Sequence, residues 1–508
     1  MTLGRTWAVG LVGVTGRMVQ VEADMGAGLP TFTIGGLPDA ACAQAPDRIR
    51  AATANAGIQL PSRKVVVNLS PADLRKRGTG YDLGIALAIL AAAGVVPAGA
   101  VEQVAHVGEL GLDGEVRPVP GVLPAVLAAR AAGVERVVVP AASWTTTCTV
   151  PGVEVLPVTH LAALVEDYVT HGRPMGCTTA LPEPPAAEEV ACLSEVVGQE
   201  AARRALEVAA AGGHHLLLHG APGTGKTMLA RRLPGILPPL EKDEALEVAA
   251  IASVTEATPV GLTRVRPFVA PHHASTASAV LGGGSGRARP GAVSRATHGV
   301  LFLDEAPELR RDVLEGLRQP LEEGRVVVLR SEGAVELPAR FQLVLAANPC
   351  PCGLAGRRAT AGAVCECTPT TRRQYAKRLS GPVRDRIDLQ VEMDPTTVWP
   401  MTRELPESSA VVAERVARAR QRQRERWAGH PWSLNVHAPG SVLRRGPHAV
   451  PPAALDRLRT AHAAGVLSTR AVDRVLRVAR TLADLSDGGA VTSEHVAQAV
   501  VLRGVEAA

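Results

Sequence analysis

The chain has 508 residues, 46% of them hydrophobic, enough for roughly three domains with cores of their own. Its 54 Lys and Arg against 49 Asp and Glu leave a formal charge of only +5, so no global basic field demands a nucleic-acid partner. With 5 Trp, 3 Tyr and 4 Phe there are few rings on which bases could stack, which argues against a base-reading module and directs any nucleic-acid contact to phosphates and shape.

The opening MTLGRTWAVGLVGV has no long apolar core or cleavage site, so a cytoplasmic location is expected. Residues 1–170 alternate short β-rich runs (RKVVVNLS, RVVVP, VEVLPV) with Ala/Leu helices such as GVLPAVLAARAAG, the pattern of an α/β domain. Within it the apolar run from Leu83, LGIALAILAAAGVVPAGAV, is long enough to raise the question of a membrane span. Gly94 and Pro97 interrupt it, and a buried helix followed by a turn is the expectation, with no membrane partner. A stretch rich in Pro, Glu and Thr then reads as a linker over 171–192. A second α/β pattern occupies 193–395, with apolar strands HLLLHG, GVLFLDE and FQLVLAANP, and the chain turns helical over 396–508, where apolar residues recur at spacings of three and four. The fold class is therefore α/β: an N-terminal α/β domain, a central parallel-sheet domain and a C-terminal helical lid. The eight Cys are expected as reduced thiols or metal ligands.

The central domain carries the chemistry. The segment GAPGTGKT, Gly220, Ala221, Pro222, Gly223, Thr224, Gly225, Lys226 and Thr227, fits the phosphate-binding loop, and it follows a strand and opens a helix as that motif requires. Its backbone N–H groups would curl around the phosphates of ATP, Lys226 would reach the β and γ phosphates, and Thr227 would coordinate magnesium. The strand GVLFLDE delivers Asp304 to its tip as a second magnesium ligand, and Glu305 as the base that polarises the attacking water. FQLVLAANP places Asn348 after an apolar run, within reach of the γ-phosphate or that water.

This order of elements resembles the AAA+ superfamily. SEVVGQEAARRAL, with Val196, Gly198 and Gln199, is similar to the box that precedes the loop near the adenine pocket in that superfamily. The resemblance implies an arginine finger at Arg386 in RDRID, with Arg384 as the competing choice, and a second sensor at Arg470 in STRAVDRVLRVARTLADL, with Arg474 as the fallback. A finger given to the neighbouring subunit implies a homo-oligomeric ring, most simply a hexamer. Between Lys226 and Asp304 lies RPFVAPHHASTASAVLGGGSGRARPGAVSRATHG, and after the Asp-Glu strand EEGRVVVLRSEGAVELPARFQLV alternates like a hairpin turning near SEG. These inserts resemble those of the magnesium chelatase and MCM clade. FVAPHHAS, GGGS and RPGAVSRATHGVLFLDEAPE are closer still to the YifB/ComM family of magnesium chelatase-like proteins, and this likeness runs over essentially the whole chain. What it implies is a hexameric helicase that drives branch migration in recombination or natural transformation, with branched or single-stranded DNA as partner. The chelatase kinship implies the alternative, a protein-remodelling or metal-insertion ATPase.

LSPADLRKRGTGYDLGIALAIL and VGELGLDGEVRPVPGVLPAVLAA resemble the Lon proteolytic domain, but Asp82 stands at the nucleophile's place and VPGVLPAV has no Lys, so a non-proteolytic role follows. Four of the Cys, Cys350, Cys352, Cys365 and Cys367, form two C-x-C pairs that could hold a structural zinc or remain reduced thiols. His272 and His273 are neighbours expected to point apart, in packing or loop hydrogen bonds. Arg415, Arg418, Arg422 and Arg426 share one helix face, as a phosphate-contacting stripe or a solvated lid face with Glu partners on the same helix.

Overall fold

The computed structural model describes residues 3–177, 191–255, 261–284, 288–330, 333–355, 364–379, 381–394, 406–486 and 488–504. The linker expected over 171–192 falls mostly on 178–190, outside the described residues.

The first sheet is built from β1 (Gly4–Val12), β2 (Thr15–Gly26), β3 (Phe32–Gly35), β4 (Lys64–Ser70), β5 (Val104–His106), β6 (Arg136–Pro140) and β7 (Glu154–Val158), in the order β3-β4-β2-β1-β5-β6-β7. It is mixed: β1 and β2 form an antiparallel hairpin with Trp7 opposite Gln20, and β5, β6 and β7 run parallel to β1. The apolar run from Leu83 forms α1 (Asp82–Ala92), every residue of which is buried. It is a core helix, because neighbours cover it on all sides. It lies so close to β1 that a Cβ on Gly4 would sit 1.9 Å from the Ala88 carbonyl oxygen. No described helix is long and apolar enough to cross a membrane.

The second sheet is wholly parallel. Its strands β8 (Leu216–Gly220), β9 (Phe268–Val269), β10 (Val300–Leu303), β13 (Gln342–Ala347) and β14 (Leu389–Met393) lie in the order β9-β10-β13-β8-β14. All residues of β10 and β13 are buried, which explains the apolar runs VLFL and LVLAA, since helices cover both faces of a parallel sheet; Gln342, which opens β13, donates to the Ala209 and His214 carbonyls. Two further strands, β11 (Arg325–Arg330) and β12 (Gly333–Pro338), form a separate antiparallel hairpin with Val327 opposite Glu336. It occupies the place where alternation predicts a hairpin.

The two α/β parts touch. Helix α2 (Val122–Ala131) of the first packs Val122 and Val126 against Leu246, Ala249 and Ala250 of α5 (Lys242–Thr255), and Gly121 N–H donates to the Ser253 carbonyl at 2.9 Å. Between α2 and α5 in the chain come α3 (Glu200–Gly212) and α4 (Lys226–Ala230), the latter opening at the phosphate-binding loop. The C-terminal helices α7 (Ser409–Arg426), α8 (Thr469–Leu485) and α9 (Ser493–Leu502) follow a further helix, α6 (Pro369–Arg378), and share one apolar core with α3 and with β8.

The arginine stripe on α7 is neither of the faces expected. Arg415 binds Glu207 and Glu407 at 2.6 Å, Arg422 donates to the Asp484 and Ser486 carbonyls, and Arg426 pairs with the fully buried Asp484. Only Arg418 of the four lies exposed. Helical spacing shows that the four share a face, but the acids and carbonyls they meet come from other parts of the chain.

In the Lon-like place, the Asp82 carboxylate is fully buried and gripped by Arg48 through bonds of 2.6 and 2.8 Å. Burial pushes its pKa above the usual carboxylate value, and the Arg48 bond opposes that rise. Asp82 serves there as one half of a buried ion pair.

Candidate nucleotide site

Parallel sheets place their ligand sites outside the carboxyl ends of the strands. Register brings three candidate groups to one such edge: His219 of β8 lies opposite Ala347, and Leu303 of β10 opposite Leu345, so Gly220, Asp304 and Asn348 leave the sheet together. Beyond β8 the loop turns through Gly223 (φ +80°) and Gly225 (φ +90°), left-handed conformations that a side chain would strain, and α4 begins at Lys226.

Lys226 is 8% exposed, and its ammonium is turned back on its own loop, donating to the carbonyls of Gly220 (2.7 Å) and Ala221 (2.9 Å) and to Asn348 Oδ1 (3.1 Å). Burial lowers its pKa, while the charges of Asp304 and Glu305 pull it up. Thr227 Oγ1 donates to Asp304 Oδ2 at 2.7 Å, so a hydroxyl and a carboxylate meet as two hard oxygen donors. That donor chemistry fits magnesium. Gln199, from the preceding box, anchors the loop by donating to the Thr224 and Asp394 carbonyls.

Glu305 sits in the left-handed region at φ +49°, and its Oε2 lies 3.0 Å from His273 Nδ1. The two histidines do not point apart. Their ring centroids are 4.1 Å from each other; His272 takes the loop hydrogen bond from Ala274 N–H, while His273 reaches the candidate base. Sequence reasoning missed this contact, and its one legible signal was that FVAPHH follows a short strand beside the Asp-Glu strand, where Val269 lies opposite Leu301.

The arginines separate by their surroundings. Arg386 pairs with Glu322 of its own chain and donates to the Pro382 carbonyl at 2.7 Å, whereas Arg384 is exposed. Arg470 is exposed in the first turn of α8, but Arg474 is bound inside the fold to Asp388 Oδ1 at 2.7 Å and to the Arg386 carbonyl at 3.1 Å. Asp388 is fully buried. Burial pushes its pKa up, but the His214 ring, whose Nδ1 lies 3.6 Å from Asp388 Oδ2, and the Arg474 charge outweigh this and hold it far below the usual range. The four thiols Cys350, Cys352, Cys365 and Cys367 come together just beyond β13, in a group that could hold a metal ion.

Comparison with known proteins agrees with this architecture. The description "Magnesium chelatase, subunit ChlI" matches residues 192–399, "Subunit ChlI of Mg-chelatase" matches 21–143, and "Magnesium chelatase, subunit ChlI C-terminal" matches 406–503. The chain is 40% identical over 503 residues to YifB of Escherichia coli, covering 97% of this chain and 96% of that protein. It is 37% identical over 512 residues to the competence protein ComM of Haemophilus influenzae, covering 99% and 98%. The chain belongs to the YifB/ComM family of magnesium chelatase-like proteins. An uncharacterized protein of Mycobacterium tuberculosis is 47% identical over 509 residues, 99% of each chain. Membership of this magnesium chelatase-like AAA+ family implies use of a nucleotide and of magnesium, and the parallel sheet with its lid is the expected α/β architecture.

Proposed function

We propose that the chain is an ATPase that assembles as a hexameric ring and couples ATP hydrolysis to DNA remodelling, with branch migration on branched or single-stranded DNA as its activity. The observation that carries the hydrolytic part is the convergence of Lys226, Thr227, Asp304 and Asn348 at one sheet edge, with Glu305 beside them. The DNA part is supported by the extent of likeness: 99% of the chain aligns with ComM, a competence protein, against 31% with the 38 kDa magnesium-chelatase subunit of Cereibacter sphaeroides at 30% identity. That shorter likeness supports the second reading, a protein-remodelling or metal-insertion ATPase.

In the mechanism, the backbone N–H groups from Gly223 to Thr227 receive the phosphates, and Lys226 exchanges its loop carbonyls for β and γ oxygens. Thr227 and Asp304 would hold magnesium, which when bound neutralises charge on those oxygens. Glu305 takes a proton from water as its oxygen attacks the γ-phosphorus; the bond to the β-γ bridging oxygen breaks, leaving ADP and phosphate. Asn348 orients that water, Arg470 reaches the γ-phosphate from the lid, and Arg386 supplies positive charge to the neighbouring subunit's site after leaving Glu322.

Rings assembled from equal amounts of Glu305→Gln and Arg386→Ala subunits test the shared site. Interfaces that join an intact Glu305 to an intact Arg386 should hydrolyse ATP faster than either variant alone. If rings shown by two affinity tags to be mixed hydrolyse no faster than the separate variants, the site is not shared through Arg386.

A further inference from the structure

The thiols beyond β13 lie outside the hydrolytic machinery. Cys350 follows Asn348 and Pro349 directly, Cys352 comes after Pro351, and Cys365 and Cys367 lead into α6. Their four Sγ atoms all lie within 4.8 Å of one another, with Cys350–Cys352 at 3.3 Å, Cys352–Cys365 at 3.5 Å and Cys350–Cys365 at 3.7 Å. Zinc held by four thiolates at about 2.3 Å sets its sulfurs about 3.8 Å apart, so small rotamer changes convert this cluster into a tetrahedron. A disulfide needs sulfurs about 2.05 Å apart and joins them in pairs, whereas here each of three sulfurs is close to both of the others. An all-thiolate set selects a soft or borderline ion over magnesium or calcium. The Ala355 N–H donates to Cys350 Sγ at 3.3 Å, the kind of outer contact that orients a metal-bound thiolate. Val364, beside Cys365, is 77% exposed and so gives this part of the chain no apolar anchor.

The same segment rests on the phosphate-binding loop. Gly353, at φ +77°, lies so close to Pro222 that a Cβ there would stand 2.5 Å from the proline ring carbons Cγ and Cδ. Asn348, two residues before Cys350, accepts from Lys226.

We propose that Cys350, Cys352, Cys365 and Cys367 bind one zinc ion as four thiolates, and that the knuckle so formed braces the phosphate-binding loop through Gly353 on Pro222. Binding releases the four thiol protons to solvent and changes no oxidation state. The brace rests on the nucleotide reading above; the metal site does not.

The test uses the full chain. Elemental analysis of the purified protein should find about one zinc per chain, and replacement by cobalt should give the visible absorption of a tetrahedral thiolate site. The zinc should be lost in Cys352→Ser/Cys367→Ser. Gly353→Ala, which leaves every thiol in place, should keep the zinc yet weaken binding of a fluorescent ATP analogue about tenfold by crowding Pro222. Wild-type protein without zinc, and without tetrahedral cobalt absorption after loading, overturns the metal site even where the cysteine variant fails to fold. Zinc retained with unchanged analogue affinity in Gly353→Ala overturns the brace. Failure of the wild-type protein to bind the analogue would remove the brace together with the nucleotide reading, while the elemental analysis still decides the site.

Discussion

Arg470 and Arg474 lie one helical turn apart on α8, and the structure predicts opposite consequences for their loss. Replacing Arg474 with Ala removes the 2.7 Å bond to Asp388 and leaves that fully buried carboxylate with His214 and the His215 N–H. Breaking a buried pair in this way costs about 3–5 kcal/mol, and the remaining partners place the loss near 3 kcal/mol. At 1.36 kcal/mol per factor of ten, amide exchange across α8 should quicken about a hundredfold. Arg470 is exposed, so Arg470→Ala should change exchange by less than about 0.5 kcal/mol while lowering ATP turnover. Hydrogen exchange read peptide by peptide, with steady-state hydrolysis on the same preparations, gives both numbers. The reasoning is refuted if Arg474→Ala leaves the exchange of α8 unchanged, or if Arg470→Ala loosens the helix as much as it slows turnover.

Two further outcomes follow from individual contacts. Glu305→Gln should bind ATP with near wild-type affinity and lose about 10²- to 10⁴-fold in turnover, the usual worth of a positioned base; normal hydrolysis would remove Glu305 from the mechanism. His298 is hydrogen-bonded to Glu247 at 2.6 Å and lies 3.4 Å from Glu244. Burial lowers its pKa, but the hydrogen bonds to Glu244 and Glu247 and their charges outweigh this and raise it from 6.5 to about 8. Since the folded value lies above the unfolded one, its contribution of about 2 kcal/mol is complete below pH 6.5 and is lost as pH rises through about 8. Urea unfolding between pH 6 and 9 should show that loss in the wild type and not in His298→Gln.

What was legible in the sequence was whatever a single segment determines. The phosphate-binding loop is a run of eight residues whose glycines set the backbone, and unbroken apolar strands announce a sheet covered on both faces. That is why the family, the fold class and the convergence of Gly220, Asp304 and Asn348 at one edge could be anticipated. What was not legible depends on which distant segment comes near. Spacing put Arg415, Arg422 and Arg426 on one face but could not show that Glu207 and Asp484 would consume them. Likewise, nothing within HH shows that only His273 turns to Glu305, since the edge strand that aims it is two residues long.

In the proposed function this phosphate-binding loop powers movement on DNA. Its most direct test follows ATP-driven strand exchange on a labelled four-way junction, comparing the wild type with Lys226→Ala at the same salt concentration. The wild type should migrate the junction and the variant should not. ATP hydrolysis that neither moves the junction nor is stimulated by it would contradict the DNA reading and turn attention to a protein or metal-insertion client.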